Sequence, residues 1–240
     1  MDRSFPIYAP EELLRKVLFA VELIDPVTQA LVSQGVKVIA EGLTSKPIVN
    51  RSGRFVWLKE GEARPTSIIV EPGTRPYEAV TASAPQLPDD LDKATEAQRL
   101  VRIYLKPTRA YEFIEGITAV RGTLLKTTGG TVAPIAKAEV QLKWFDDNSQ
   151  RWIQAPNSTT TDKDGEFAVF VRLLPKPPAQ PDIVDGFLRI HLRVTRNGET
   201  RKTPEDFGFL GQDREPKGRI PEGQVLRRHV TLAWDELQHV

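Results

Sequence analysis

Residues 161–173 read TDKDGEFAVFVRL, and residues 50–58 read NRSGRFVWL. In both, polar residues lead into Gly, then a charged residue, then Phe and an apolar run. Gly165 and Gly53 can supply the positive φ that closes a tight turn, and the Asp and Asn side chains ahead of them can accept from nearby backbone N–H groups. Phe167, Val169 and Val171 then alternate with Glu166, Ala168 and Phe170, the period of a strand. The device therefore reads as a turn that feeds a core strand, with Phe167 and Phe55 as anchors. A chemical alternative is a calcium loop built from the alternating carboxylates of Asp162, Asp164 and Glu166. It lacks the twelve-residue span and closing Glu of an EF-hand loop, and the first copy has Asn, Ser and Arg there. A turn without a metal is the expectation.

Similar alternating runs flank both stretches. VKVIAEG (36–42), TSIIVEP (66–72) and LVRIYLKP (100–107) surround the first copy. TAVRGTLL (118–125), AEVQLKWF (138–145), RWIQAP (151–156), FLRIHLRVT (187–195) and RRHVTLAW (227–234) surround the second. Short strands cut apart by 19 prolines and 16 glycines predict an all-β chain of sandwich type. The strand order repeats, which points to an internal duplication with its boundary near TRAYEFIEG (108–116). The predicted division is a tail over 1–16, a first β-sandwich over 17–110 and a second over 111–240. Two short helices are expected: 10–19, with Pro10 in its first turn, and 87–100, with Asp89 or Asp90 as N-cap.

These motifs resemble the carboxypeptidase regulatory-like, or transthyretin-like, β-sandwich. Gly35-Val36-Lys37-Val38 and Ala138-Glu139-Val140-Gln141 match its second strand, NRSGRF and TDKDGEF its hairpin, and RPYEAV (75–80) its Gly-Tyr strand in the first copy only. The resemblance implies two tandem immunoglobulin-like sandwiches and says little of activity, because such modules usually stabilise, space or present other parts. One enzymatic branch of that superfamily hydrolyses hydroxyisourate and ends in Tyr-Arg-Gly-Ser. This chain ends DELQHV, so that activity is not expected.

Composition removes several classes. Lys plus Arg number 33 against 32 Asp plus Glu, so a dedicated nucleic-acid binder is not expected, though a local basic patch is compatible. With no cysteine, disulfides, thiol nucleophiles and Cys-ligated zinc are excluded. VLFAV (17–21) is too short and too closely flanked by charge for a signal-peptide core or a membrane span. A cytoplasmic location, or release within an assembled particle, is the expectation.

Catalytic signals are sparse. His191 and His229 fall in separate predicted strands, His239 is penultimate, and only neighbouring strands would bring the first two together, with Asp235 nearby. There is no G-x-S-x-G elbow, KTTGGT (126–131) lacks phosphate-loop spacing, and the Asp pairs at 89–90 and 146–147 sit in turn contexts. The sequons at Asn50 and Asn157 carry no weight without secretion. No catalytic residue, cofactor or metal is assigned.

Two features suggest recognition. VQLKWFDDNSQRWIQAP (140–156) predicts a hairpin turning at Asp146 to Ser149, with Trp144 and Trp152 in cross-strand contact. The first reading is that one of these rings fills the core and the other shields its edge, the second is protein contact and the third a glycan face. Two proline-rich loops, 84–90 and 173–183, are extended by composition, and residues 200–223 read as a long insertion without regular structure. Within it Phe207, Phe209 and Leu210 suggest a segment that docks a partner. The predicted function is a non-catalytic structural or adaptor protein. It would bind other proteins, or further copies of itself, in a larger assembly such as a contractile tail-like particle. A carbohydrate-binding module is the alternative, and an enzyme of unrecognised type the third.

Overall fold

The structure, a computed structural model, describes residues 16–173 and 179–240. It is all-β. Seven strands occupy the first part: β1 (Val17–Ile24), β2 (Lys37–Glu41), β3 (Ile48–Val49), β4 (Phe55–Leu58), β5 (Ser67–Glu71), β6 (Val80–Ser83) and β7 (Leu100–Tyr104). Eleven follow: β8 (Thr118–Thr128), β9 (Thr131–Pro134), β10 (Glu139–Asp146), β11 (Arg151–Thr160), β12 (Glu166–Val171), β13 (Ile183–Val184), β14 (Phe187–Arg196), β15 (Glu199–Lys202), β16 (Arg219–Pro221), β17 (Val230–Ala233) and β18 (Gln238–His239). Two compact units result. One holds residues up to Leu23, Leu31–Glu71 and Val80–Ile103, and the other holds Ile24–Ala30, Pro72–Ala79 and Tyr104–Val240.

In the first unit one sheet runs β3-β4-β1-β7 and the other β2-β5-β6. Phe19 and Val21 of β1, opposite Trp57 and Phe55 of β4, are buried, and the Phe19 and Trp57 rings stack at 4.7 Å. Val38, Ala40, Ile68 and Val70 are the buried positions of β2 and β5. Glu22 is buried on the other face of β1, held by Arg54 at 2.7 Å and Arg102 at 3.0 Å. The Arg54 hydrogen bond keeps its carboxyl below the usual glutamate range.

In the second unit the sheets are β11-β10-β14-β15-β18, with β13 and β16 also on β14, and β12-β8-β17, with β9 on β8. Their facing side chains form one core that includes Val140, Leu142, Trp144, Phe167, Ile190, Leu192 and Leu232. The strand that follows the Gly-Phe turn pairs with the first strand in both units, β4 with β1 and β12 with β8. The remaining sheet runs β2-β5-β6 in the first unit and contains the run β10-β14-β15 in the second.

The two turns use one hydrogen-bond pattern. Asp162 Oδ1 accepts from the N–H groups of Asp164 and Glu166, both at 2.9 Å, and Gly165 N–H donates to the Asp162 carbonyl at 3.0 Å. Asn50 Oδ1 accepts from Ser52 and Arg54 at 3.1 and 2.9 Å, and Gly53 N–H donates to the Asn50 carbonyl at 3.0 Å. Gly165 has φ +75°, and a Cβ there would lie 2.5 Å from the Leu124 carbonyl oxygen. Phe167 then lies opposite Gly122, where a Cβ would meet the Phe167 ring at 2.5 Å. The device is architectural: it closes a turn and seats an aromatic over a glycine.

Asp162, Asp164 and Glu166 do bring carboxylate oxygens within 4.8 Å of one another. Asp162 is engaged by the turn, however, and Glu166 is ion-paired to Arg109. Asp162→Asn should keep the turn and change stability by a few tenths of a kcal/mol, whereas Asp162→Ala should cost about 1–2 kcal/mol, the size of a lost side-chain cap. Chemical denaturation of the two variants checks this. Equal losses would show that the negative charge matters more than the acceptor oxygen.

Some sequence expectations change. Val17–Phe19, the end of the expected 10–19 helix, open β1, and its earlier residues lie outside the described residues, as does most of the 1–16 tail. The 87–100 helix breaks into two single turns. The first, Leu91–Lys93, is capped by Asp90 as expected, and the second is α1 (Glu96–Arg99), closed by a Thr95/Gln98 capping box. Two caps five residues apart and no apolar stripe explain the break. Residues 200–223 also differ from expectation, since they carry part of β15, all of β16 and a buried Phe209. Of the 173–183 loop, residues 174–178 lie outside the described residues. Gln180 and Pro181 pin its far end to the β10–β11 turn, through Asp146 Oδ1 and a bridge to Asp146.

Candidate functional site

The outer face of the β11-β10-β14-β15 sheet is formed by side chains that the strand alternation turns away from the core. On β10 these are Gln141, Lys143 and Phe145, between buried Val140, Leu142 and Trp144. On β14 they are Arg189, His191 and Arg193, between buried Leu188, Ile190, Leu192 and Val194. Antiparallel register sets Lys143 opposite His191, Gln141 opposite Arg193, and Arg193 opposite Lys202 of β15. At one end Trp152 of β11 pairs with Phe145, ring centroids 5.2 Å apart and edge to face.

His191 is only 5% exposed despite facing outward, because the Trp152 ring lies over it at 4.2 Å. Burial, then the charges of Lys202, Lys143 and Arg193, push its pKa down to about 4. Burial, with Arg193 and Lys202, also lowers the Lys143 ammonium. Neither Lys143, Arg193 nor Lys202 has a carboxylate partner among the described residues. Arg189 contrasts with them: it bonds Glu205 at 2.8 Å, approaches Asp182 at 3.8 Å and stacks over Phe145 at 4.5 Å. The face is thus an aromatic corner with a matched arginine, beside an unmatched cationic row.

The sign for His191 follows from its depressed pKa. The folded state holds it neutral, so its contribution is complete above the ordinary value of 6.5 and is lost as pH falls toward 4. The loss is on the order of 3 kcal/mol, from roughly 2.5 pKa units at 1.36 kcal/mol each. Denaturation curves between pH 7 and 4 should show that slope in the wild type and a weaker one in His191→Gln. Equal slopes would contradict it.

The other residues singled out in the sequence lie apart from this row. Trp144 is in the core and lies opposite Ile153, so the expected contact of Trp144 with Trp152 is replaced by Phe145 with Trp152. The cause is register: Trp144 and Trp152 point to opposite faces. Phe209 is fully buried, and Phe207 and Leu210, partly buried, pack on the same core. His229 accepts from or donates to Thr123 Oγ1 at 2.7 Å and precedes β17, in the sheet opposite β14. His239 is exposed, 3.6 Å from Glu199, and Asp235 accepts from Thr127 N–H at 3.1 Å.

A second buried cluster is structural. Asp25 accepts from Val27 N–H at 2.8 Å and Thr28 N–H at 3.3 Å through Oδ1, and from the hydroxyls of Tyr77 at 3.2 Å and Tyr111 at 2.6 Å through Oδ2. Burial first, then Asp25, raises both phenols, Tyr77 to about 12 and Tyr111 further. With both carboxylate oxygens engaged, no acceptor is left for acid–base work.

No protein-family model and no curated protein matches the chain. Among solved structures, a streptococcal ancillary pilin aligns at 9% identity and TM-score 0.24, over 95% of this chain and 63% of that one. The minor pilin GBS52 of Streptococcus agalactiae aligns at 10% and 0.25, over 92% and 96%. The shaft pilin SpaA of Lactobacillus rhamnosus GG aligns at 9% and 0.22, over 91% and 97%. This chain spans about 63% of the ancillary pilin's length. Superpositions this loose carry no weight, and the assignment as an all-β protein of two immunoglobulin-like sandwiches rests on the strand pairing above.

Proposed function

We propose that the chain is a non-catalytic structural or adaptor protein that binds other proteins within a larger assembly. The outer face of the β11-β10-β14-β15 sheet is its contact surface. The observation that carries this reading is the cationic row of Lys143, Arg193 and Lys202, without carboxylate partners among the described residues, beside an aromatic corner. Groups that look catalytic in isolation are engaged elsewhere: Asp162 in a turn, Asp25 under two tyrosines, His191 under Trp152. The transthyretin-like character and the origin by duplication belong to the same reading, supported by the matched turns and equivalent pairings of β1 with β4 and β8 with β12. A cytoplasmic or particle-borne location goes with it. No described helix is long and apolar enough to cross a membrane.

A contractile-tail setting has no supporting observation. The glycan alternative is weakened, because Trp144 is buried and Trp152 is flanked by Phe145, His191 and Arg189 rather than offered as an open platform. Tagging the chain in its native host at endogenous expression tests the proposal. Recovery of partners at fixed stoichiometry is expected, and recovery of the chain alone would contradict it.

A further inference from the structure

We infer that Lys143, Arg193 and Lys202 form a recognition site for a carboxylate-rich protein segment laid across β10, β14 and β15. This rests on the binding role proposed above and names the chemistry of its partner. Strands lie about 4.8 Å apart and alternate residues about 7 Å along each strand. The three charges therefore share a patch on the order of 10 Å, comparable with the screening length of about 8 Å at physiological salt. Like charges held so closely repel. Among the described residues no carboxylate ion-pairs with them: Glu139, a diagonal neighbour of Arg193 in register, makes no salt bridge, and Glu199 is bonded to Arg201 at 2.7 Å.

Two buried nitrogens in the same patch, Arg193 Nε and His191 Nδ1, have no hydrogen-bond partner among the described residues. The surface is an open sheet face, which suits an extended chain better than a small anion that needs enclosure. Phe145 and Trp152 border the cations and offer apolar contact that a polypeptide can use and a bare polyphosphate cannot.

The test uses the full chain and a fluorescent decaglutamate peptide, with inorganic polyphosphate of matched charge as competitor. The site variant Lys143→Gln/Arg193→Gln/Lys202→Gln is compared with Lys46→Gln/Lys163→Gln/Lys217→Gln, which removes the same charge elsewhere. Peptide affinity is expected to fall at least tenfold in the first and less than twofold in the second, and to weaken steeply with salt. The His191 ring titration, followed by NMR, is expected to move upward when peptide binds. The site variant should melt no lower than the wild type, because it removes repulsion, and single Lys202→Gln serves if the triple misfolds. No binding by the wild type, equal losses in both triples, or polyphosphate binding in preference through the same residues would overturn the inference. A native-host complex that survives in the site variant would overturn it while leaving the assembly reading intact.

Discussion

Replacing Phe209 with alanine is expected to lower the stability of the second unit by about 3–5 kcal/mol, the cost of emptying a fully buried phenylalanine site. In melting temperature that is a fall on the order of 10 °C for a unit of this size. Phe209 has no exposed surface, its ring meets Phe207 at 4.8 Å, and it belongs to the same core as Trp144 and Phe167. Calorimetry decides between the two roles that Phe209 could hold. If it anchors the fold, stability falls and binding suffers only in proportion to unfolding. If it were a docking residue, stability would hold and partner affinity alone would drop.

Asp182→Ala is expected to cost a similar 3–5 kcal/mol, because it leaves the Arg219 guanidinium largely buried without its counter-charge. Arg219 Nη2 reaches both Asp182 carboxylate oxygens at 2.8 Å, while Nη1 donates to the carbonyls of Asp182 and Phe187 at 3.1 Å. This pair fixes β13 and β16 against the first residues of β14, where the two short strands both pair. The double variant Asp182→Ala/Arg219→Met should lose much less than the sum of the single losses, since no charge is then stranded. Urea denaturation of the four proteins gives the coupling. Additive losses would show that the pair is exposed and screened.

The parts of the fold legible in the sequence are those written locally. Turn residues and alternation identified β4, β12, the β10–β11 hairpin and, as one of two candidates, the Asp90 cap, since each depends on neighbours a few residues away. What failed depended on register. Trp144 and Trp152 lie on adjoining strands, yet one residue of offset sends one ring to the core and the other outward. The 200–223 segment has no periodicity of its own because its order comes from distant partners, Phe209 in the core and Arg219 on Asp182. The candidate site was half visible. Arg189, His191 and Arg193 alternate along FLRIHLRVT in the sequence, but only strand pairing adds Lys143 and Lys202. A net charge near zero hid the cluster, because Asp and Glu elsewhere balance it in number while standing away from it.

The most direct measurement of the binding role is lysine footprinting of the chain, free and in its native-host complex, by brief acetylation and mass spectrometry. Protection of Lys143 and Lys202 in the complex, with Lys46 and Lys217 reacting equally in both states, is the result predicted. Equal reactivity of Lys143 and Lys202 in the free and assembled protein would contradict it and place the contact surface elsewhere.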